Sequence, residues 1–475
     1  MKMHLTQQLL HIDDDKPFQH DLFEREAPIK LLTTYLRRNP GPLTLAVDSI
    51  WGGGKTTFLR LWEKYLAQEG FKVIMFNAWE TDWCEQPFVA LYSEIIIKLA
   101  KPDGTDPVDG TGRVLKNIVM KIIKTQTAGL VDPQEILKIL NEKDNTYLEK
   151  KQTEFLEYKQ NVIAFKQEIG KLIKAHNKEK KTDTPLVIMI DELDRCRPTY
   201  AIEFLEVVKH LFPIENLIII LAINRAELAN AVRSVYGPKF HAEEYLRRFY
   251  DVDYQLQASS KEKYISKLLD EIDIEHLSPR SPNNVTKNPS DFPNSLLIFM
   301  FNRADVNLRQ IKQAVNRLNI LFSSVGPNQF HFYQSAVTLI ILRTIWPDLY
   351  YQFIEREISD LEVVEKIFDT LEKKSEQYNS REIAYFEAVL AVGYKELQSP
   401  GSSYDRLASP LELLYKSEKI EQLSEEEAKH RKNVIEHIGV IEKGLITNVP
   451  LGFLYTIDRL ELLPDEDAYR RRTRI

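Results

Sequence analysis

The first half of the chain contains four mainly apolar runs, and polar residues follow each of them. The runs are Leu43–Val47, Phe71–Phe76, Leu186–Ile190 and Asn216–Ile223. Short runs of this kind, without regular polar alternation, are typical of strands buried on both faces of a parallel sheet. The polar residues that follow each run place candidate chemistry at the C-terminal ends of these strands.

Helical patterns separate the strands. We predict helices that end at about Arg38 and about Gln68, and two more over Phe88–Leu99 and Thr199–Phe212. An alternation of buried strands with helices predicts an α/β fold with a doubly wound parallel sheet. Ligands of that fold bind where the strands end.

A long charged helix is predicted from Thr146 to about His176. Its apolar residues recur at intervals of seven, which is a coiled-coil spacing; they are Leu148, Phe155, Val162 and Ile169, with Tyr158, Phe165 and Leu172 on the neighbouring seam. Two interpretations stay open. The helix packs as a hairpin on its own domain, or it forms a coiled coil with another chain.

The second half of the chain is predicted to be mainly helical. Residues 278–294 contain four prolines and predict an exposed loop or hinge. Helices are predicted over Val306–Leu321 and from about Tyr333 to Leu371, and Ser399–Pro410 predicts a second break. The sequence therefore predicts five parts. They are an amino-terminal part of the core (residues 1–101), a helical insertion (102–182), the rest of the core (183–272), a hinge with lid helices (273–325) and a helical C-terminal domain (326–475).

Composition narrows the functional classes. A chain of 475 residues suits two or three domains. Its net charge of −7 argues against a generally basic nucleic-acid-binding protein and leaves a local basic patch open. The basic stretch Arg470–Arg474 is interpreted as a solvated tail, with nucleic-acid contact as the alternative.

Cysteine usage and hydropathy predict a cytoplasmic protein. The two cysteines, Cys84 and Cys196, do not form a C-x-x-C pattern, so neither a disulfide framework nor a zinc site is expected. The first residues lack the apolar core of a signal peptide. No apolar stretch reaches the roughly 18 residues of a membrane span.

The segment from Ser49 to Thr57, SIWGGGKTT, predicts a phosphate-binding loop between a strand and a helix. Consecutive glycines let backbone N–H groups surround an anion, and the helix N-terminus adds a positive dipole. Lys55 would reach the β- and γ-phosphates of ATP, and the Thr56 hydroxyl would bind Mg²⁺. Ser49 stands where the usual pattern has its first glycine. The predicted binding residues are Ser49, Trp51, Gly52, Gly53, Gly54, Lys55, Thr56 and Thr57.

A second motif follows the apolar run Leu186–Ile190. Asp191 would hold Mg²⁺ through water, and Glu192 would orient and deprotonate an attacking water molecule. The alternative is a charged cap on the next helix. The order of the two motifs, each at a strand end, favours a site that binds and hydrolyses a nucleoside triphosphate.

Four further residues are candidates for catalysis. Asn224 would contact the attacking water or the γ-phosphate, unless it only caps a loop. Arg247 or Arg248 would stabilise transition-state charge in its own site or a neighbour's, or pair with adjacent glutamates. Arg309, at the start of a later helix, would reach the phosphates from a lid, unless it is a surface residue.

Five motifs resemble those of the KAP family of P-loop NTPases. The loop resembles G-x-W-G-x-G-K-S/T, and Phe76–Trp79 resembles F-N-A-W. Ile190–Cys196 resembles I-D-D/E-L-D-R-C, Leu221–Arg225 resembles L-A-x-D-R, and Glu244–Arg248 resembles E-Y-L-x-K. The family pattern also has a P-R pair where this chain has Leu308 and Arg309.

The resemblance implies an AAA+-like ATPase core with a helical lid that uses ATP and Mg²⁺. It also implies self-association, with arginines shared between subunits, and bacterial relatives in phage exclusion and defence. Many members carry transmembrane helices between the two nucleotide motifs, whereas residues 102–182 predict a polar helical insertion. Asn224 replaces the acid of the family pattern, so the role of that acid does not carry over.

Two functions follow from these observations. The first is hydrolysis of ATP with Mg²⁺ to drive a conformational change or assembly. The second is a nucleotide-gated switch or scaffold that binds ATP, turns over rarely and signals to a partner protein. A small-molecule kinase is disfavoured, because the sequence shows no pattern for an acceptor pocket.

Overall fold

The computed structural model describes most of the chain as two compact units, Met1–Ala258 and Ser259–Ile475. The described residues are 12–84, 86–99, 113–127, 146–180, 183–257, 261–270, 272, 291–323, 330–370, 381–398, 429–438 and 456–457. The five-part division made from the sequence stays a prediction.

The first unit alternates strands and helices along the chain. Its strands are β1 (Leu43–Asp48), β2 (Lys72–Asn77), β3 (Leu186–Asp191), β4 (Leu217–Ile223) and β5 (Val252–Gln255). Its helices are α1 (Glu26–Arg38), α2 (Lys55–Gln68), α3 (Pro87–Leu99), α4 (Arg113–Thr127), α5 (Thr146–Lys180), α6 (Pro198–Leu211), α7 (Arg225–Tyr236) and α8 (Ala242–Leu246).

The strands form one parallel sheet in the order β2-β3-β4-β1-β5. This confirms the predicted α/β fold with a doubly wound sheet. The strand that precedes the predicted phosphate loop, β1, lies between β4 and β5. The strand that ends in the acidic pair, β3, lies between β2 and β4, so the ends of β1, β4 and β3 are consecutive along one edge.

Burial explains why the strands are apolar without alternation. Every residue of β3 and β4 is buried. Val187 and Met189 pack in a layer with α1 and α2. Ile188 and Ile190 pack in the opposite layer, with α3, α5 and α6. Both faces of the sheet are therefore covered by helices, as a parallel sheet requires.

The long helix predicted from the sequence is α5, and its second half packs on its own unit. Phe165, Ile169 and Ile173 are buried in the same apolar cluster as Phe88 of α3. The rings of Phe165 and Phe88 lie 5.2 Å apart in an edge-on arrangement that aromatic pairs favour. Phe155 is exposed, so a coiled-coil contact of the first half with another chain stays a prediction.

The described part of the second unit is helical. Its helices are α9 (Glu262–Asp270), α10 (Asp291–Arg303), α11 (Leu308–Ser323), α12 (Phe330–Ile345), α13 (Pro347–Ile354), α14 (Asp360–Thr370) and α15 (Arg381–Gln398), and residues 429–438 are helical as well. They surround one apolar core. A buried contact of 2.7 Å between His430 Nε2 and Glu387 Oε2 joins residues 429–438 to α15.

The segment predicted to be helical from about Tyr333 to Leu371 contains three helices, α12, α13 and α14. Pro347 starts α13, because proline lacks the N–H that a continuing helix needs. Ser359 and Glu362 start α14 with reciprocal side-chain to backbone hydrogen bonds of 3.2 and 2.7 Å, which form a capping box.

One sequence prediction for this unit is corrected, the loop over residues 278–294. Helix α10 begins at Asp291, so the last residues of that stretch are helical. Pro293 lies in the first turn, where a missing N–H is tolerated. The rest of this stretch, 278–290, lies outside the described residues. The predicted loops 102–112 and Ser399–Pro410 and the basic tail Arg470–Arg474 lie outside them as well.

Within the described part of the chain, none of the helices combines the length and the apolar character that a membrane crossing requires.

Candidate functional site

The predicted phosphate loop connects the end of β1 to the start of α2. The backbone N–H of Ser49 donates to Ile223 O at 3.1 Å, so the loop begins bonded to the neighbouring strand end. Gly52 and Gly54 have φ angles of +75° and +91°, a conformation that favours glycine. Lys55 is the first residue of α2. The loop thus ends at the N-terminus of a helix, and a lysine is the first residue of that helix.

The Lys55 side chain is buried inside the loop. Its ammonium donates to Ser49 O at 2.7 Å and lies 3.7 Å from Asp194 Oδ2. Burial lowers the pKa of Lys55, and the negative charge of Asp194 is the largest influence that opposes this. The ammonium is therefore held inside the loop by a carbonyl and a carboxylate.

A direct hydrogen bond joins the two nucleotide motifs. Thr56 Oγ1 donates to Asp191 Oδ2 at 2.7 Å, and Asp191 Oδ1 accepts from the backbone N–H of Glu192 at 2.9 Å. Burial raises the pKa of Asp191, and these two hydrogen bonds oppose the rise. A hydroxyl and a carboxylate are the oxygen ligands that Mg²⁺ prefers. The residues that meet here therefore fit this metal.

Glu192 follows β3 in a left-handed conformation, with φ of +61°. Its Oε1 lies 3.0 Å from an Nη2 atom of Arg195. The Arg195 guanidinium lies 5.5 Å from the ring centroid of Trp79, which follows the neighbouring strand β2. The structure therefore pairs the predicted catalytic carboxylate with an arginine on the β2 side, away from the strand that carries the phosphate loop.

Asn224 directly follows β4, which lies beside β3, and is buried. Its side-chain oxygen accepts from the backbone N–H of Glu227 at 3.4 Å and caps α7. The structure thus shows the capping role, which was one of the two interpretations. A contact with the γ-phosphate stays a prediction.

The three candidate arginines have exposed side chains. Arg247 and Arg248 lie directly after α8. The nearby Glu243 pairs with Arg233 of α7. Arg309 is near the start of α11 in the second unit. Their roles in catalysis stay predictions.

Sequence reasoning assigned no role to three charged residues that the structure places at this edge. Asp194 contacts the phosphate loop, and Arg195 contacts Glu192. Arg225 donates from its backbone N–H to Asp48 Oδ1 at 2.9 Å, and its guanidinium lies 3.3 Å from Asp48 Oδ2. All three lie within the motifs that resemble the KAP family. Their positions next to the predicted ligands in the sequence were the signal that could have identified them as site residues.

Cys196 also follows β3, but its chemistry is not that of a nucleophile. Burial raises the pKa of its thiol to about 12. The thiol therefore stays protonated at neutral pH, and a thiolate is what reacts.

A cleft opens beside the loop, between the amino-terminal segment and α2. Its cavity volume is about 20 Å³, which is roughly the space that one water molecule needs. Its lining residues are Ile12, Asp13, Pro17, His20, Asp21, Leu22, Phe23, Thr57 and Leu61.

The strand order and the loop between β1 and α2 define the class as a P-loop NTPase of the α/β type. The sequence profile of the KAP family P-loop domain matches residues 25–325. The chain therefore belongs to the KAP family, which confirms the resemblance found in its motifs. The match covers the whole sheet and the first helices of the second unit.

Other comparisons add little. No curated protein sequence matches the chain significantly. Among solved structures it is similar to the ORC2 protein of Aeropyrum pernix in its ADPNP and ADP complexes, with a TM-score of 0.32 and 13% identity. The alignment covers 88% of this chain and 94% of that one. A likeness at this level supports no inference about the site.

Proposed function

We propose that the protein binds ATP with Mg²⁺ and hydrolyses it to drive a conformational change or assembly. The single observation that carries this proposal is the 2.7 Å hydrogen bond from Thr56 to Asp191. It brings the first residue after the loop lysine together with the carboxylate at the end of β3. A hydroxyl and a carboxylate that meet beside a phosphate loop form a binding site for a metal–nucleotide complex.

Each residue has a distinct role in this proposal. Lys55 neutralises charge on the β- and γ-phosphates, and the loop N–H groups bind their oxygens. Thr56 and Asp191 would hold Mg²⁺, Asp191 through water, and the ion would supply positive charge that offsets the charge developing on the phosphates. Glu192 orients the attacking water and accepts its proton.

The arginines and the second unit belong to the same proposal. Arg247 or Arg248 stabilises transition-state charge, either in its own site or in that of a neighbouring subunit, and Arg309 approaches the phosphates from a lid. The helical second unit would transmit the nucleotide state to other copies of the chain or to an effector protein. A cytoplasmic role in anti-phage defence rests on the family resemblance alone.

One observation favours the second candidate, a nucleotide-gated switch. The ion pair between Arg195 and Glu192 engages the carboxylate that hydrolysis needs. An enzyme with this pair would bind ATP and turn over slowly until a partner released the glutamate.

Two measurements on the full chain test these functions. Glu192→Gln should keep ATP binding and abolish phosphate release, because an amide cannot accept the proton of the attacking water. Unchanged turnover in this variant would remove Glu192 from the proposed role. In the wild type, tight ATP binding with a single turnover and negligible steady-state release would favour the switch. The same assays with and without DNA or RNA test for a nucleic-acid partner.

A further inference from the structure

Asp194 lies between the phosphate loop and the end of β3, and one of its oxygens contacts two loop residues. Its Oδ2 accepts from Trp51 Nε1 at 2.5 Å and lies 3.7 Å from Lys55 Nζ. The side chain is only 1% exposed. A single buried carboxylate therefore holds both the outer side chain of the loop and its central ammonium.

The second oxygen of Asp194 indicates that this carboxylate is not there for folding alone. Oδ1 is buried, and none of the described residues supplies it with a hydrogen-bond partner. Most buried polar atoms are hydrogen-bonded, and leaving one unsatisfied is destabilising. A carboxylate kept only to stabilise the fold would be expected to have both oxygens satisfied.

Trp51 gives the loop its side-chain anchor. The loop is rich in glycine, which loses more conformational freedom on folding than other residues. Its ends are fixed by β1 and α2, and within it the Gly53 N–H donates to Ile50 O at 3.1 Å. The Trp51 ring is 40% exposed, so packing alone does not hold it. Its bond to Asp194 ties the middle of the loop to the neighbouring motif.

Lys55 needs a counter-charge before the phosphates provide one. Its ammonium is buried, and a buried charge is costly unless it is paired and hydrogen-bonded. Ser49 O supplies the hydrogen bond, and Asp194 supplies the nearest opposite charge. The phosphates of a nucleotide would replace Asp194 as the principal partner of the ammonium.

We propose that Asp194 is a positioning residue for the phosphate loop. Its carboxylate holds Trp51 and Lys55 in the geometry that receives the phosphates, and it passes Lys55 to them when ATP binds. The proposal rests on nucleotide binding by this loop, which the proposed function also requires, and it does not depend on hydrolysis.

Repulsion between Asp194 and the phosphates would act in the opposite direction. Preorganisation lowers the entropic cost of binding and makes ATP affinity fall when Asp194 is removed. Repulsion would make the affinity rise in both Asp194→Ala and Asp194→Asn, since both variants lack the charge. The two effects therefore predict changes of opposite sign in the same measurement.

The first test measures ATP affinity of the full chain with Mg²⁺ by calorimetry. Asp194→Ala should weaken binding by about tenfold, the size expected for loss of a hydrogen bond to a charged group. Asp194→Asn keeps an oxygen that accepts from Trp51 and should lose less. Trp51→Phe should weaken binding by itself, and the double variant Asp194→Ala/Trp51→Phe should bind no more weakly than Asp194→Ala.

The proposal is supported if Asp194→Ala weakens ATP binding by more than about threefold and Trp51→Phe does not deepen that loss. A smaller loss, a gain in affinity, or losses that multiply overturn it. Asp82→Asn is the matched control, because this carboxylate pairs with Arg197 at the start of α6. It should bind within about twofold of the wild type.

The second test separates positioning from stability. The difference in fluorescence between each protein and its Trp51→Phe counterpart isolates the emission of Trp51. Emission should shift to longer wavelength in Asp194→Ala and stay near the wild type in Asp194→Asn. Unchanged Trp51 emission in Asp194→Ala overturns the proposal.

Folding and function are controlled separately. If Asp194→Ala does not fold, Trp51→Phe alone decides, and wild-type affinity in that variant overturns the proposal. A wild-type protein that binds ATP without hydrolysing it would refute the catalytic function and leave the role of Asp194 intact. A wild-type protein that does not bind ATP would refute both.

Discussion

A methyl group added to Gly53 would lie 2.1 Å from Oγ of Ser49, far inside van der Waals contact. The serine that stands in place of the usual first glycine therefore occupies the space beside the second residue of the glycine run. The two positions are coupled through this contact, because a side chain at 53 would displace the Ser49 hydroxyl. The nearest backbone atom is Ile50 O, at 3.1 Å.

Gly53→Ala should therefore weaken ATP binding by about tenfold, because a misplaced loop no longer presents its N–H groups to the phosphates. Ser49→Gly restores the usual loop pattern and should bind within about threefold of the wild type. The double variant should recover most of the loss, as measured by calorimetry. Equal losses in Gly53→Ala and the double variant would contradict the coupling.

Thr56→Ala should remove most of the benefit of Mg²⁺ for ATP affinity, because one of the two proposed ligands is lost. We expect a loss of about tenfold or more with Mg²⁺ present. With EDTA, the variant and the wild type should bind alike, which is the internal control. Full stimulation by Mg²⁺ in Thr56→Ala would show that the hydroxyl does not hold the metal.

Arg195→Gln should raise kcat and leave the affinity for ATP unchanged. The guanidinium lies 3.0 Å from Glu192 Oε1 and engages an oxygen that would otherwise be available to the attacking water. Release from this pair is expected to increase kcat by up to about tenfold. Arg197→Gln is the matched control, because Arg197 pairs with Asp82. A kcat that falls in Arg195→Gln would indicate that the arginine assists catalysis.

Arg247 and Arg248 test whether sites are shared between subunits. Both side chains are exposed, so they are available to a neighbouring site. A double Arg247→Ala/Arg248→Ala variant mixed with Lys55→Ala should regain part of the ATPase activity that each lacks alone. Mixing ratios should be varied, and an absence of activity at every ratio would count against shared sites.

Thr33 offers a stability prediction that is independent of catalysis. Its hydroxyl accepts from Trp62 Nε1 at 2.9 Å, and both side chains are buried between α1 and α2. Thr33→Val leaves the indole N–H unsatisfied and should lower the free energy of unfolding by about 1–3 kcal/mol. Thr34→Val, one residue along on the exposed face, should change it by less than about 0.5 kcal/mol. Denaturant titration of both variants distinguishes them.

The sequence predicted the sheet well because both of its faces are buried. Val187 and Ile188 are apolar for different reasons, since each packs against a different helical layer. In the second unit the sequence predicted helices but not where each helix ends, because helix follows helix along the chain. Pro347 and the Ser359–Glu362 capping box end and start helices there, but the apolar pattern continues across both breaks.

The candidate site divides in the same way. Local sequence determined the glycine-rich loop, Lys55, Thr56 and the acidic pair, because each depends on residues that are adjacent in the chain. Only the tertiary structure decided that Asp194 holds Trp51 and Lys55, and that Arg195 lies over Trp79. These contacts join the ends of strands that are far apart in sequence, and only the order of strands in the sheet brings them together.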